Sequence, residues 1–304
     1  MGLQPLQATQ GRTANHVRTL IFALLWIAHF LPYRALVVIG NIVGVLAFWL
    51  IAERRHVTRV NLEKCFPEKS PAERERLARA HFRAFCRTFV DRTLLWWAPR
   101  ARIERLIRIE GLEHLRAVHG APAILLVPHF VGLDAGATRL TCEEDMVGIY
   151  AQQKDARFSE LLRRGRTRFG NQRLVSRQEG VRATLSAMRA GRPFYYLPDQ
   201  DYGPRGTLFV QFFGLAAATT PGLSRISQIA GARVLPCVTQ MLPGDAGYVV
   251  RIEPAWDNFP TEDVAADTRR MNEYIERRVL EMPEQYLWMH KRFKTRPAGE
   301  ARFY

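Results

Sequence analysis

The 304-residue chain has little of what usually announces chemistry. Its four cysteines, Cys65, Cys86, Cys142 and Cys237, are widely scattered and form no CxxC pair. That leaves no ligand spacing for structural zinc and no framework for a disulfide-stapled fold. There is no GxSxG elbow, no Walker loop and no GxGxxG turn. Covalent serine hydrolysis, NTP use and dinucleotide binding therefore lack a sequence handle. Acidic residues are also scarce, 29 against 44 Lys and Arg, giving a formal net charge of +15.

So large a positive excess points to an anionic partner or surface: nucleic acid, anionic lipid or an acidic carrier protein. Neither a zinc-finger spacing nor an RNP-like string is present, which argues against nucleic acid. The basic residues are dispersed, as in Arg74-Glu75-Arg76 and in the stretch from Arg163 to Arg168. Such runs on helices are most simply solvated faces. Attraction to anionic headgroups explains the charge more economically, because the N-terminal part of the chain is strongly apolar.

That apolar part has two blocks. Thr19 to Tyr33 ends at Pro32 and Arg34, and Ala35 to Ala52 has only Asn41 as a strongly polar residue. The second block approaches bilayer-spanning length. Glu53-Arg54-Arg55-His56 is no signal-peptidase site, so the segment is expected to be retained. Trp26, Tyr33 and Trp49, with the basic cluster from Arg54 to Arg59, suit a membrane interface better than a buried core helix. Residues 1–60 are expected to form a membrane anchor and residues 61–304 the body. Arg12 and Arg18 precede the apolar stretch, so charge bias does not separate one spanning helix from a hairpin or an interfacial helix. The stronger cluster follows it, which places the body on the cytoplasmic side of the membrane.

In the body, Ser70-Pro71-Ala72-Glu73 combines an N-cap, a first-position proline and a capping-box glutamate, so a long helix starts there. Leu77, His81, Phe85 and Phe89, widened by Phe82, Cys86 and Val90, give it an apolar stripe that packs on the body. Strands are expected at 107–109, 123–127, 146–150, 193–197, 233–239 and 248–252. They alternate with helices near 112–119, 156–169, 178–190, 219–230 and 264–282. Alternation of this kind predicts an α/β fold, a mixed sheet flanked by helices.

Residues Ile124 to Asp134, ILLVPHFVGLD, stand out from that background. A buried strand ends in His129, and Asp134 follows five positions later in a predicted helix over 132–139. A histidine at a strand exit can take a proton from an attacking hydroxyl, and an acid one helical turn on can hold its tautomer. The pattern alone is weak, since about 0.8 His-x4-acid matches are expected by chance in a chain of this composition. The plainer reading is a loop histidine capped by a neighbouring backbone group. Three further strings bear on it. Tyr195 to Arg205, YYLPDQDYGPR, puts Asp199 and Asp201 after another apolar strand, where simple turn chemistry is the alternative. Arg166 and Arg168 offer guanidinium groups able to bind phosphate, with a structural salt bridge as the alternative for Arg166. Pro283 to Lys294, PEQYLWMHKRFK, mixes aromatic and basic residues, as an edge near lipid or a segment closing on the core would.

Together these strings resemble the lipid A biosynthesis lauroyl/myristoyl acyltransferases, from the N-terminal segment to the last residues. HFVGLD is similar to the family's His-x4-acid motif, GRTRFG to its Arg block, YLPDQDYGPRGTLFVQFFG to its central block and PEQYLWMHKRFKTRP to its C-terminal signature. The last two are the specific ones. The resemblance implies a glycerolipid-acyltransferase-like fold at the inner membrane. It further implies transfer of a fatty acyl chain from acyl carrier protein to a 3-hydroxyacyl hydroxyl of a Kdo-bearing lipid A precursor. His129 would be the base and Asp134 its orienter. Arg166, Arg168 and Arg205 would serve substrate binding, and Asp199 and Asp201 would shape the site or hold the acceptor sugar. No metal or diffusible cofactor is expected, since the thioester carries the activation. The alternatives are acyl transfer to another polar lipid, a glycerolipid or aminolipid, and a non-catalytic membrane-tethered protein that binds anionic lipid or nucleic acid.

Overall fold

A computed structural model of the chain describes residues 23–150, 155–176 and 179–304. Arg12, Arg18 and the start of the first apolar block lie outside them. After helical residues at 23–28, the helices run α1 (Tyr33–Leu50), α2 (Ala52–Cys65), α3 (Pro71–Trp97) and α4 (Arg100–Leu106). Next come β1 (Ile107–Glu110), α5 (Leu112–Arg116), β2 (Ala123–Leu126), α6 (Leu133–Leu140), β3 (Val147–Tyr150), α7 (Ala156–Arg166), β4 (Arg173–Ser176), α8 (Gly180–Arg189) and β5 (Phe194–Tyr196). The chain continues through β6 (Leu208–Phe212), β7 (Leu215–Thr219), α9 (Gly222–Ala230), β8 (Arg233–Met241), β9 (Tyr248–Ile252) and α10 (Val264–Glu281), then a 3₁₀ turn at Pro283–Gln285.

Seven strands form one mixed sheet in the order β1-β9-β8-β2-β5-β3-β4. Only the β8–β9 pair is antiparallel. The strands carry apolar residues on both faces, as parallel strands between helical layers must. Ile124, Leu126 and Phe194 enter one core with Met188, Leu223, Met271 and Ile275 from α8, α9 and α10. Ala123, Leu125 and Tyr195 face the other, with Leu95, Leu115, Ala135 and Leu140. The expected mixed sheet flanked by helices is what the chain forms.

The capping box at Ser70 and Glu73 is present, and α3 is long enough to serve both cores, giving Phe82 to one and Leu94 to the other. β4 and the separate antiparallel hairpin β6–β7 have no counterpart among the strands expected from sequence. β7, Leu-Ala-Ala-Ala-Thr, has little of the β-branched or aromatic content that marks strands, so only its pairing with β6 makes it one. α1 is long and apolar enough to cross a membrane, alone among the described residues, at mean hydropathy 1.8. It is not set apart from the body: its Leu36 and Phe48 belong to the two cores.

Candidate active site

Two adjacent parallel strands converge at the candidate site. β2 and β5 pair with Leu126 opposite Tyr196. Each leaves the sheet through a proline, as Val127-Pro128-His129 and as Leu197-Pro198-Asp199. Proline has no N–H to extend a ladder. Pairing stops at the bond from the Val127 N–H to the Tyr196 carbonyl, 2.8 Å. The residues just past the two prolines stay in strand register, and His129 comes to lie against Asp199.

The contact is close. His129 Nδ1 is 2.6 Å from Asp199 Oδ1, and the His129 backbone N–H donates to Oδ2 at 2.9 Å. Burial alone would raise the Asp199 pKa, but the facing imidazole and these two hydrogen bonds hold it below the ordinary carboxylate range. An ionised carboxylate can only accept, so Nδ1 carries a proton, and whenever the ring is neutral the lone pair is on Nε2. Among the described residues no group hydrogen-bonds Nε2. The side chain is 14% exposed, enough for a substrate to reach it.

The C-terminal signature clamps this loop, which makes it the closing segment on the core. The Val131 N–H donates to the Gln285 carbonyl at 2.8 Å and the Leu287 N–H to the His129 carbonyl at 3.0 Å, a short bridge on both sides of Phe130. Gln285 ties the bridge to the end of β8, accepting from the Met241 N–H and donating to its carbonyl. The buried Tyr286 lies near Asp199, whose negative charge adds to burial in raising the phenol's pKa well above its ordinary value. Arg292, also buried, donates to the Ala218 carbonyl and Thr219 Oγ1 and adds its positive charge near Asp199. His290 accepts the Asp201 N–H on Nε2 at 3.1 Å, and burial lowers its pKa to about 4, so it is neutral.

Asp134 is elsewhere engaged, which corrects the expectation that it orients the imidazole. From the first turn of α6 its carboxylate accepts from Arg92 of α3 at 2.7 Å and 3.1 Å and from Arg166 of α7 at 3.0 Å. Burial opposes its charge, but the Arg166 and Arg92 guanidiniums outweigh that and hold its pKa well below the usual range. Gly165 permits this arrangement: a Cβ there would lie 2.2 Å from Cδ1 of Trp96 in α3, so any side chain would push the end of α7 away. The salt-bridge reading of Arg166 is therefore realised, while its side chain remains 36% exposed.

Two other candidates are placed differently from expectation. Arg168 donates to the Leu94, Leu95 and Ala98 carbonyls and so caps the C-terminus of α3, where the orphan carbonyls of a helix end need donors. It does not face the His129 pair with an open fork. Asp201 is not available to hold a sugar: its carboxylate accepts from the Thr295 N–H, the Thr295 hydroxyl and the Gly203 N–H, clasping the C-terminal segment to the loop after β5. Arg205 is exposed further along that loop. Sequence reasoning did not single out Arg92 or Tyr286. The matched strand–Pro–His and strand–Pro–Asp exits could have paired His129 with Asp199. Nothing local marks Arg92, 42 residues before its partner.

A mixed sheet flanked by helices, with a carboxylate-held imidazole past the ends of two parallel strands, defines an α/β protein. More narrowly, the chain belongs to the bacterial lipid A biosynthesis acyltransferases, whose family model matches residues 10–295, and it is accordingly an acyltransferase. It is 33% identical over 285 residues to the lipid A biosynthesis palmitoleoyltransferase of Escherichia coli, covering 92% of both chains. It is 33% identical to the lauroyltransferase of the same organism, over 91% of this chain and 90% of that one. The E. coli myristoyltransferase is 32% identical, over 81% and 76%. A solved 1-acyl-sn-glycerophosphate acyltransferase from Thermotoga maritima is similar at 16% identity and a TM-score of 0.39 over 82% of this chain, too distant to bear on the chemistry.

Proposed function

We propose that the chain carries out a secondary acylation: it moves a fatty acyl chain from acyl carrier protein to a 3-hydroxyacyl hydroxyl of a Kdo-bearing lipid A precursor, on the cytoplasmic side of the inner membrane. The observation that carries this reading is the His129–Asp199 pair, at 2.6 Å, inside a chain matched to the family over nearly its whole length. His129 Nε2 takes the proton of the acceptor hydroxyl as its oxygen attacks the thioester carbonyl. Asp199 holds the Nδ1–H tautomer and stabilises the imidazolium. The tetrahedral oxyanion collapses, the carbon–sulfur bond breaks, and the imidazolium returns its proton to the departing thiolate. The products are an ester and a free carrier thiol, with no cofactor consumed.

Arg166 has the exposure to address an anionic group of the lipid while anchored on Asp134, and Arg205, on the exposed loop, is the second candidate for that task. The net charge of +15 favours both an acidic carrier protein and anionic lipid. Purified protein in detergent should transfer acyl chains from acyl carrier protein to a tetraacyl Kdo-lipid A precursor. His129→Ala should lose about 10²- to 10⁴-fold in rate while keeping its fold. Full activity in that variant would overturn the mechanism. Transfer to a glycerolipid or aminolipid in preference to the lipid A precursor would overturn the acceptor.

A further inference from the structure

α1 has two apolar faces. Leu36, Val37, Gly40, Gly44 and Phe48 are buried against the body. On the opposite side Val38, Ile42, Leu46, Trp49 and Leu50 are 54–79% exposed, and Phe30, just upstream, is 64% exposed. Soluble surfaces rarely leave so continuous an apolar stripe uncovered. Its rim is basic: Arg34 is exposed at one end, Arg54 lies past the other, and Arg79 and Arg83 of α3 flank it, Arg79 over the Trp49 ring at 4.9 Å. An apolar stripe with a cationic rim and interfacial tryptophan complements an anionic lipid surface.

The packing decides how that surface is met. An 18-residue helix is about 27 Å long, close to the hydrocarbon thickness, so a crossing α1 would put its ends in opposite aqueous phases. Both ends are instead pinned to the same body. At the start, Tyr33 donates to Asp91, which Tyr248 of β9 also holds, and Arg34 pairs with Asp245. Just past the end, Glu53 pairs with Lys291 at 3.1 Å and Arg54 donates to the Met289 carbonyl at 3.1 Å. The middle of α1 lies flat on α3: a Cβ on Gly40 would sit 2.7 Å from Cα of Arg87, and one on Gly44 would sit 2.5 Å from Cα of Arg83. A spanning α1 would hold two arginines of α3, Arg83 and Arg87, near the bilayer centre, where a charged side chain is strongly disfavoured.

We propose that α1 does not cross the membrane: it lies in a single leaflet, with Val38, Ile42, Leu46, Trp49 and Leu50 among the acyl chains and the arginine rim among anionic headgroups. The inference rests on packing and stands apart from the reaction proposed above. Arg34→Cys and Glu53→Cys, made singly in the full chain, test it with a membrane-impermeant maleimide. The four native cysteines are buried, so background labelling is low. Both positions should label in inverted inner-membrane vesicles and neither in spheroplasts. Labelling of either in spheroplasts would mean that α1 spans and would overturn the proposal. The second arm uses Ile42→Asp with Leu46→Asp, which leaves the detergent assay unchanged because neither residue belongs to the site. Recovery with phosphatidylglycerol vesicles after detergent removal should fall at least about tenfold. Unchanged recovery together with loss of a dimer would show that a second copy covers the stripe, and would equally overturn it.

Discussion

Asp134, half-buried, and Asp199, buried, both follow an apolar strand and both are held ionised, yet they do different work because their partners differ. Asp199 spends its charge on an imidazole 2.6 Å away. Asp134 spends its charge on two guanidiniums, one from α3 and one from α7, and so fixes three helices relative to one another. A carboxylate beside a neutral imidazole sets a tautomer and waits for a proton to arrive. A carboxylate between two arginines is already satisfied, and can contribute only position. Proximity in sequence to His129 favoured Asp134, whereas strand register favoured Asp199.

The largest effect expected from this contrast is at Asp199. An amide in Asp199→Asn can turn its N–H toward Nδ1, which then has to accept, and the ring proton moves to Nε2 where it blocks the base. Turnover should fall about 10³- to 10⁴-fold with the fold retained, as read from single-turnover transfer from acyl carrier protein. If Asp199→Asn stayed within tenfold of the parent while Asp134→Asn lost more, the assignment of the two carboxylates would have to be exchanged.

Asp134→Asn should separate stability from chemistry. Removing the charge leaves Arg92 and Arg166 facing each other around a neutral amide, so unfolding should become easier by about 1–3 kcal/mol, with turnover within about tenfold of the parent. The pH dependence has a definite sign. The folded-state pKa of Asp134 lies below its unfolded value, so its stabilisation is complete above that unfolded value, near 3.9, and fades as pH falls toward the folded one. Denaturation midpoints of parent and variant should differ by a constant amount between about pH 5 and pH 7 and converge below about pH 4. A gap that widened on acidification would show that Asp134 is not held by those arginines.

The same contrast explains how much could be read from the chain. Six strand positions, the Ser70 capping box and the place of His129 at a strand exit were legible, because hydrophobic period, turn residues and caps act within a few residues. The partner of His129 was not. Its identity depends on β2 lying beside β5, and that adjacency across 70 residues is settled by sheet order, which no local pattern encodes. Asp201 and Arg168 misled for a related reason. A loop acid and a helix-end arginine look equally suited to a ligand, to Thr295 or to the orphan carbonyls of α3 until the chain is folded. The Pro128 and Pro198 exits were visible, but they become informative only once the two strands are known to pair in register.

The smallest effect, and the finest test of the comparison, is at Tyr286. Its hydroxyl is a polar neighbour of Asp199, and Tyr286→Phe removes that neighbour while leaving the ring against Phe130 and Phe212, with centroids 5.7 and 5.8 Å away. Asp199 keeps both of its His129 contacts, so the carboxylate stays in place with one polar neighbour fewer. A polar neighbour of this kind contributes at most about 1 kcal/mol, which predicts no more than a three- to tenfold fall in turnover and little change in the denaturation midpoint. A fall as deep as that of Asp199→Asn would mean that the carboxylate works only when the C-terminal segment supplies a polar neighbour. The relevant contrast would then be between a carboxylate closed off by that segment and one shared among helices, rather than between two carboxylates with different cationic partners.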